Sequence, residues 1–207
     1  MKFSKSFWAI AVILLVLIAD QALKIWVKTN MMLYQSIHIT DWFQIYFTEN
    51  NGMAFGIEVI GKMFLSIFRI IASCAILYYL YLIVKRKFST GYIICFSLIF
   101  AGAVGNIIDC IFYGVIFDSS YGQIATLFPP EGGYSTWLHG KVVDMFYFPI
   151  IKTTWPAWVP GCGGERFIFF SPIFNLADSA ISVGVAMLLL FYRKTLARDF
   201  ETKKEDA

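Results

Sequence analysis

An amide and a carboxylate stand three residues apart in Phe174-Asn175-Leu176-Ala177-Asp178, at the mouth of the apolar run from Ile181 to Tyr192. A carboxylate at membrane depth costs roughly 3 kcal/mol or more on insertion scales, so an intramembrane Asp reads as a functional residue with a partner to be found. The candidate partner is Asp144, in Val142-Val143-Asp144-Met145-Phe146. Two carboxylates in one apolar pocket do not both ionise comfortably. Sharing a single proton makes an acid and a base of the same pair, which is the chemistry of aspartic proteases.

Other polar residues interrupt the apolar runs. Asp20 and Lys24, spaced i, i+4, face one side of a helix and form an intrahelical ion pair, a site contribution, or both. Asn106 and Asp109 follow Gly102 and Gly105 and serve either the site or close helix–helix hydrogen bonding. Arg69 reads as a counter-ion or a headgroup contact, and Asn51-Gly52 as a turn. His38 and His139 are the two histidines. Neither belongs to a zinc motif or can be matched to a serine, so the expectation is a reaction without a metal or cofactor. Cys74 and Cys95 fall inside apolar runs as small hydrophobes, and a Cys110–Cys162 bridge stays open.

The elements that must position these residues follow from composition. The chain of 207 residues is 58% hydrophobic and 15% charged, which excludes an ordinary soluble domain and implies a polytopic membrane protein. A net charge of +3, gathered in short flanking clusters, gives no reason to expect a nucleic-acid partner. Hydropathy predicts four spans in a single domain, at about 6–27, 63–84, 91–113 and 172–192. The segments 28–62 and 114–171 lie between them, the former with strand-like alternation in Ile37–Thr40 and Trp42–Phe47. The expected class is therefore an all-α membrane protein of four transmembrane helices with a small β-containing outer segment and a long outer loop. The first apolar run reads as a retained helix, and the 199–207 end as a disordered tail.

Lys2, Lys5, the Lys85-Arg86-Lys87 run, Arg193, Lys194, Arg198, Lys203 and Lys204 outnumber Lys28, Lys62, Lys141, Lys152 and Arg166 on the opposite side. By the positive-inside rule both termini, with the tail 193–207, are cytoplasmic, and the two long segments face outward. At about 1.5 Å of rise per residue, Asp20, Lys24, Arg69, Asn106, Asp109, Asn175 and Asp178 then all lie within roughly 10 Å of the outer ends of their helices. Charges at one level suit a reaction centre near the surface. A proton or ion transporter needs polar groups through the whole depth, and a non-enzymatic lipid-binding assembly protein does not need two carboxylates in separate motifs. The aromatic outer segments read as an interfacial belt.

The motifs occur in a telling order: Asp20-Gln21-Ala22-Leu23-Lys24, Asn51-Gly52-Met53-Ala54-Phe55, Gly102 through Asp109, Val142-Val143-Asp144 and Phe174 through Asp178. This series resembles the bacterial lipoprotein signal peptidase (signal peptidase II) family over nearly the whole chain. The resemblance implies an aspartic endopeptidase of the bacterial inner membrane, active near its outer face. It would cleave prolipoproteins before a cysteine carrying diacylglycerol, as a monomer among membrane lipids. It implies a catalytic dyad of Asp144 and Asp178. By the same resemblance Asp20, Lys24, Asn51, Gly52, Gly105, Asn106, Asp109 and Asn175 would form the supporting or substrate-contacting set. The chain departs from the family pattern in carrying Cys110 where Arg is usual, with Arg69 or Lys24 as the expected compensation. It also departs in the length of the segments Asp109–Asp144 and Asp144–Asp178.

Overall fold

The computed structural model describes residues 3–51 and 62–205, with side chains up to Asp199; Gly52 lies outside the described residues. Helix α1 (Lys5–Asn30) opens on Ser4, whose side chain accepts from the Phe7 amide and satisfies one of the unpaired N–H groups of the first turn. Helix α2 spans Lys62–Lys85, and α3 (Thr90–Ile108) starts on the Ser89 cap. A π-helical turn, Asp109–Tyr113, and a short α4, Gly114–Ile116, continue α3. Helix α5 is Leu176–Phe191, and α6 is Arg193–Glu205. Three described helical stretches are long and apolar enough to cross a membrane, and α5 with α6 makes a fourth if their 85° bend is counted as one broken span.

Close packing of α1, α3 and α5 depends on small residues. A Cβ on Gly105 would lie 2.8 Å from Asp20 Oδ2 and 3.2 Å from Ala177 Cβ, while one on Gly102 would run into the Ala177 carbonyl. These glycines let α5 and α1 approach α3 at the level of the polar residues, as small residues do at membrane helix interfaces.

Above this end of the bundle lies an antiparallel sheet in the order β1-β2-β3-β6, formed by Ser36–Thr40, Phe43–Asn50, Val142–Tyr147 and Ile173–Phe174. A separate hairpin joins β4 (Ile151–Thr154) to β5 (Arg166–Phe169). Val27 of α1 and its C-cap Met31, Phe47 of β2, Tyr113 and Phe117 after α3, and Val143 and Met145 of β3 form the core that seats sheet on bundle. A second core at the far end gathers Ala9, Leu80, Ile83, Tyr92, Ile93, Cys95 and Leu188.

The expected elements need three corrections. The fourth helix begins at Leu176 rather than 172, because Ile173–Phe174 pairs with β3 and Asn175 caps the helix. β-Structure is not confined to 28–62 but recurs through 142–174, so the fold is not all-α outside a single β-segment. The tail expected to be disordered is helical through 205. It is held by Asp199, which is buried and accepts from Arg86 (3.0 Å) and Tyr79 (2.9 Å). All four cysteines are free, which closes the Cys110–Cys162 possibility; Cys95 is buried and Cys74 exposed on α2.

Candidate active site

Asp144 sits on β3 opposite Thr48 of β2, where the alternation of the strand turns its side chain toward the bundle. Asp178 is the third residue of α5 and closes a capping box with Asn175. The Asn175 side chain accepts from the Asp178 amide (2.9 Å), and the Asp178 carboxylate accepts from the Asn175 amide (3.4 Å). The same Asn175 donates its side-chain amide to Asp144 Oδ1 at 2.8 Å and to Asn106 Oδ1 at 3.1 Å. Asn106 in turn donates to Asp178 Oδ1 at 2.8 Å. Two carboxylates remote in sequence are thus joined through two amides. Asn175 therefore caps α5 and binds Asp144 at once.

A buried ionic layer lies directly beneath. Lys24 Nζ is 2.9 Å from Asp20, 2.8 Å from Asp109 and 2.9 Å from Asn106 Oδ1, and Lys24, Asp20 and Asp109 are all 0% exposed. By holding the Asn106 oxygen, Lys24 fixes which end of that amide faces Asp178. Asp20 accepts from the Ala177 amide at 2.9 Å and Asp109 from the Val143 amide at 3.2 Å. The intrahelical pair read from the i, i+4 spacing is therefore real and is also part of a larger cluster. Asp109 opens the π-helical turn, a distortion that concentrates at functional sites.

Gln21 was not singled out by its sequence, yet it donates at 3.1 Å to each of Asp20, the Gly105 carbonyl and Asp109, and accepts from Tyr113 at 3.1 Å. The only sequence signal was its place beside Asp20 in an apolar run. Asn50, also missed, hydrogen-bonds Asp144. Its neighbour Asn51 ends up beside Lys62, 3.4 Å from its ammonium. Arg69 reaches Cys110, with Nη1 3.4 Å from Sγ. A further ionic group props the sheet: buried Lys28 pairs with Glu49 at 2.6 Å under the rings of Phe47, Phe117 and Tyr134, and Lys141 joins from the other side at 3.2 Å. Burial opposes ionisation of Glu49, but Lys28 and then Lys141 outweigh it and hold the carboxyl below its usual range.

Burial, reinforced by the neighbouring Asp178 charge, pushes the Asp144 carboxyl up to about 7, against hydrogen bonds from Asn50 and Asn175 and the charge of Lys24. A carboxyl titrating there can carry a proton at neutral pH and release it, as general acid–base work requires. No group of three or more His, Cys, Asp or Glu side chains suited to a metal ion occurs among the described residues.

Apolar spanning helices capped by a sheet, with two carboxylates bridged by amides at the junction, define a polytopic membrane protein whose candidate site is this carboxylate pair. The profile of signal peptidase (SPase) II matches residues 12–193, and the chain belongs to that family of membrane peptidases. A lipoprotein signal peptidase of Porphyromonas gingivalis is 56% identical over 195 residues, covering 94% of this chain and 86% of that protein. One from Amoebophilus asiaticus is 39% identical over 197 residues, covering 92% and 78%. A bacterial membrane enzyme solved by the in meso method at 2.3 Å resolution is 27% identical, with a TM-score of 0.60 over 95% of this chain and 92% of that one.

Proposed function

We propose that this chain removes the signal peptide from diacylglyceryl-modified prolipoproteins as an aspartic endopeptidase, cutting before the lipidated cysteine. The observation that carries the reading is the amide bridge from Asp144 through Asn175 and Asn106 to Asp178. Asp178 acts as the base that takes a proton from water as its oxygen attacks the scissile carbonyl carbon. Asp144, raised toward neutrality, donates its proton to the carbonyl oxygen. The tetrahedral diol then collapses: the C–N bond breaks, the leaving nitrogen receives the proton held by Asp178, and a hydroxyl proton returns to Asp144. Asn106 and Asn175 hold the carboxylates in register, and the Asp20–Lys24–Asp109 cluster holds the backbone beneath them.

The enzyme works as a monomer in the bacterial inner membrane, with both termini cytoplasmic and the sheet on the outer side. Diacyl chains stay in the bilayer between helices while the peptide bond meets the carboxylates at the interface. Support comes from the excess of Lys and Arg on the terminal side and from the gathering of polar residues at the sheet end of the bundle. The test is incubation of the purified protein with a diacylglyceryl-modified prolipoprotein. The shortened product should form in the presence of a chelator, and not with a substrate lacking the lipid. Chelator-sensitive turnover restored by zinc would overturn the aspartic reading.

A further inference from the structure

The β4–β5 hairpin stands apart from the rest of the molecule. Beyond each other, its strands share no extensive packing with any other described element, and a lone two-stranded hairpin is marginal in water. Its register sorts the side chains into two unlike faces. Ile151 lies opposite Phe169 and Thr153 opposite Phe167, and Trp155 packs on Phe167 in a tilted contact at 4.7 Å between ring centroids, so one face is apolar and aromatic. Lys152 opposite Ile168 and Thr154 opposite Arg166 give the other face its two cations. The tip carries Trp158, 81% exposed.

The base of the hairpin is tied to the bundle. Phe170 packs edge-on against Phe174 (6.2 Å), and Phe174 stacks on Phe148 (5.6 Å), which stacks on Phe43 (4.8 Å). The N-cap of α5, Asn175, comes six positions after Phe169, a reach of at most about 20 Å in extended chain. A helix cap at the mouth of a spanning segment sits at the level of the bilayer surface, so the hairpin is within reach of that surface.

We infer that the β4–β5 hairpin docks on the lipid bilayer, its Ile151–Phe167–Phe169 face and Trp155 and Trp158 in the headgroup–acyl boundary and Lys152 and Arg166 on anionic phosphates. Tryptophan at the interface, an apolar face and long cationic side chains on the opposite face together match the chemistry of that boundary. Because the hairpin joins β3, which bears Asp144, to β6, which leads into Asn175 and Asp178, its seating on lipid fixes the chain segment that links the two carboxylates.

The test uses the full chain in phosphatidylcholine vesicles with and without phosphatidylglycerol, with the photoreactive residue p-benzoylphenylalanine at position 158 or, as the control, at exposed position 131. Irradiation should attach phospholipid at 158 with a yield several-fold above that at 131, and phosphatidylglycerol should raise it further. Ile151→Asp with Phe169→Asp should cut the yield several-fold. Lys152→Gln with Arg166→Gln should keep the yield in neutral lipid and remove the response to phosphatidylglycerol. A yield at 158 no higher than at 131, or cross-linking at 158 chiefly to a second copy of the chain, would overturn the inference. Because lipid attachment is read without any cleavage, its failure and failure of the peptidase reading remain distinguishable.

Discussion

Asp20 holds the backbone amide of Ala177 at 2.9 Å, one residue before Asp178, and Asp109 does the same for Val143, one residue before Asp144. Lys24 lies between the two clamps at 2.9 and 2.8 Å. One ammonium therefore pairs with both of the carboxylates that anchor the strand and the helix bearing the candidate dyad. Removing it strands two buried charges, so Lys24→Met should destabilise the protein by about 3–5 kcal/mol. Asp20→Asn and Asp109→Asn each leave Lys24 one partner and should cost less stability while still slowing turnover. Thermal unfolding beside cleavage assays separates these outcomes; a Lys24→Met protein that melts with the parent would sink the account.

Asp144→Asn and Asp178→Asn should each lower cleavage by roughly 100-fold or more, the scale of a lost acid–base group, while the protein stays folded and inserted. Neutralising either member also relieves the like-charge repulsion that helps raise Asp144. Near-normal turnover in either variant contradicts the dyad.

The pH dependence has a definite sign. Asp144 is raised from 3.8 in the unfolded chain to about 7 in the fold, first by burial and then by Asp178. Its contribution to stability is fully present below pH 4 and is lost as pH rises toward 7, at up to roughly 1.4 kcal/mol per unit. Asp144→Asn should therefore gain stability relative to the parent across that window, and parental turnover should fall above about pH 7 as the donor ionises. Unfolding curves of both proteins from pH 4 to 8 check the first statement and a rate profile checks the second.

The helices were legible because an apolar run of some 20 residues has few fates, and Asp178 as a candidate site residue because a charge at the edge of such a run needs a reason. The strand carrying Asp144 was not legible. Val142-Val143-Asp144-Met145-Phe146-Tyr147 does not alternate cleanly, since four of its positions are buried, and its pairing with β2 spans nearly a hundred residues. Gln21 escaped for a different reason: a neutral amide carries no insertion penalty large enough to draw attention, and three of its four hydrogen bonds exist only once α1 meets α3 and the π-helical turn that follows it. The helical tail was masked by its polarity, because its order draws on buried Asp199 meeting Tyr79 of α2 and Arg86 just beyond it, and on Leu196 packed against the far-end core.

Arg69 and Cys110 offer the last test. Their contact, Nη1 to Sγ at 3.4 Å, brings the guanidinium of α2 against the side chain at position 110, where the resemblance to the family implies an Arg. Arg69→Ala should lower activity or stability, and Cys110→Arg added to it should restore part of the loss. In a protein that keeps Arg69, Cys110→Arg brings two cations together and should be harmful instead, so the same substitution changes sign with its background. A double-mutant cycle on melting and turnover should give a coupling above about 0.5 kcal/mol. Simple additivity would mean that Arg69 does not stand in for the missing Arg and serves the protein through its other contacts.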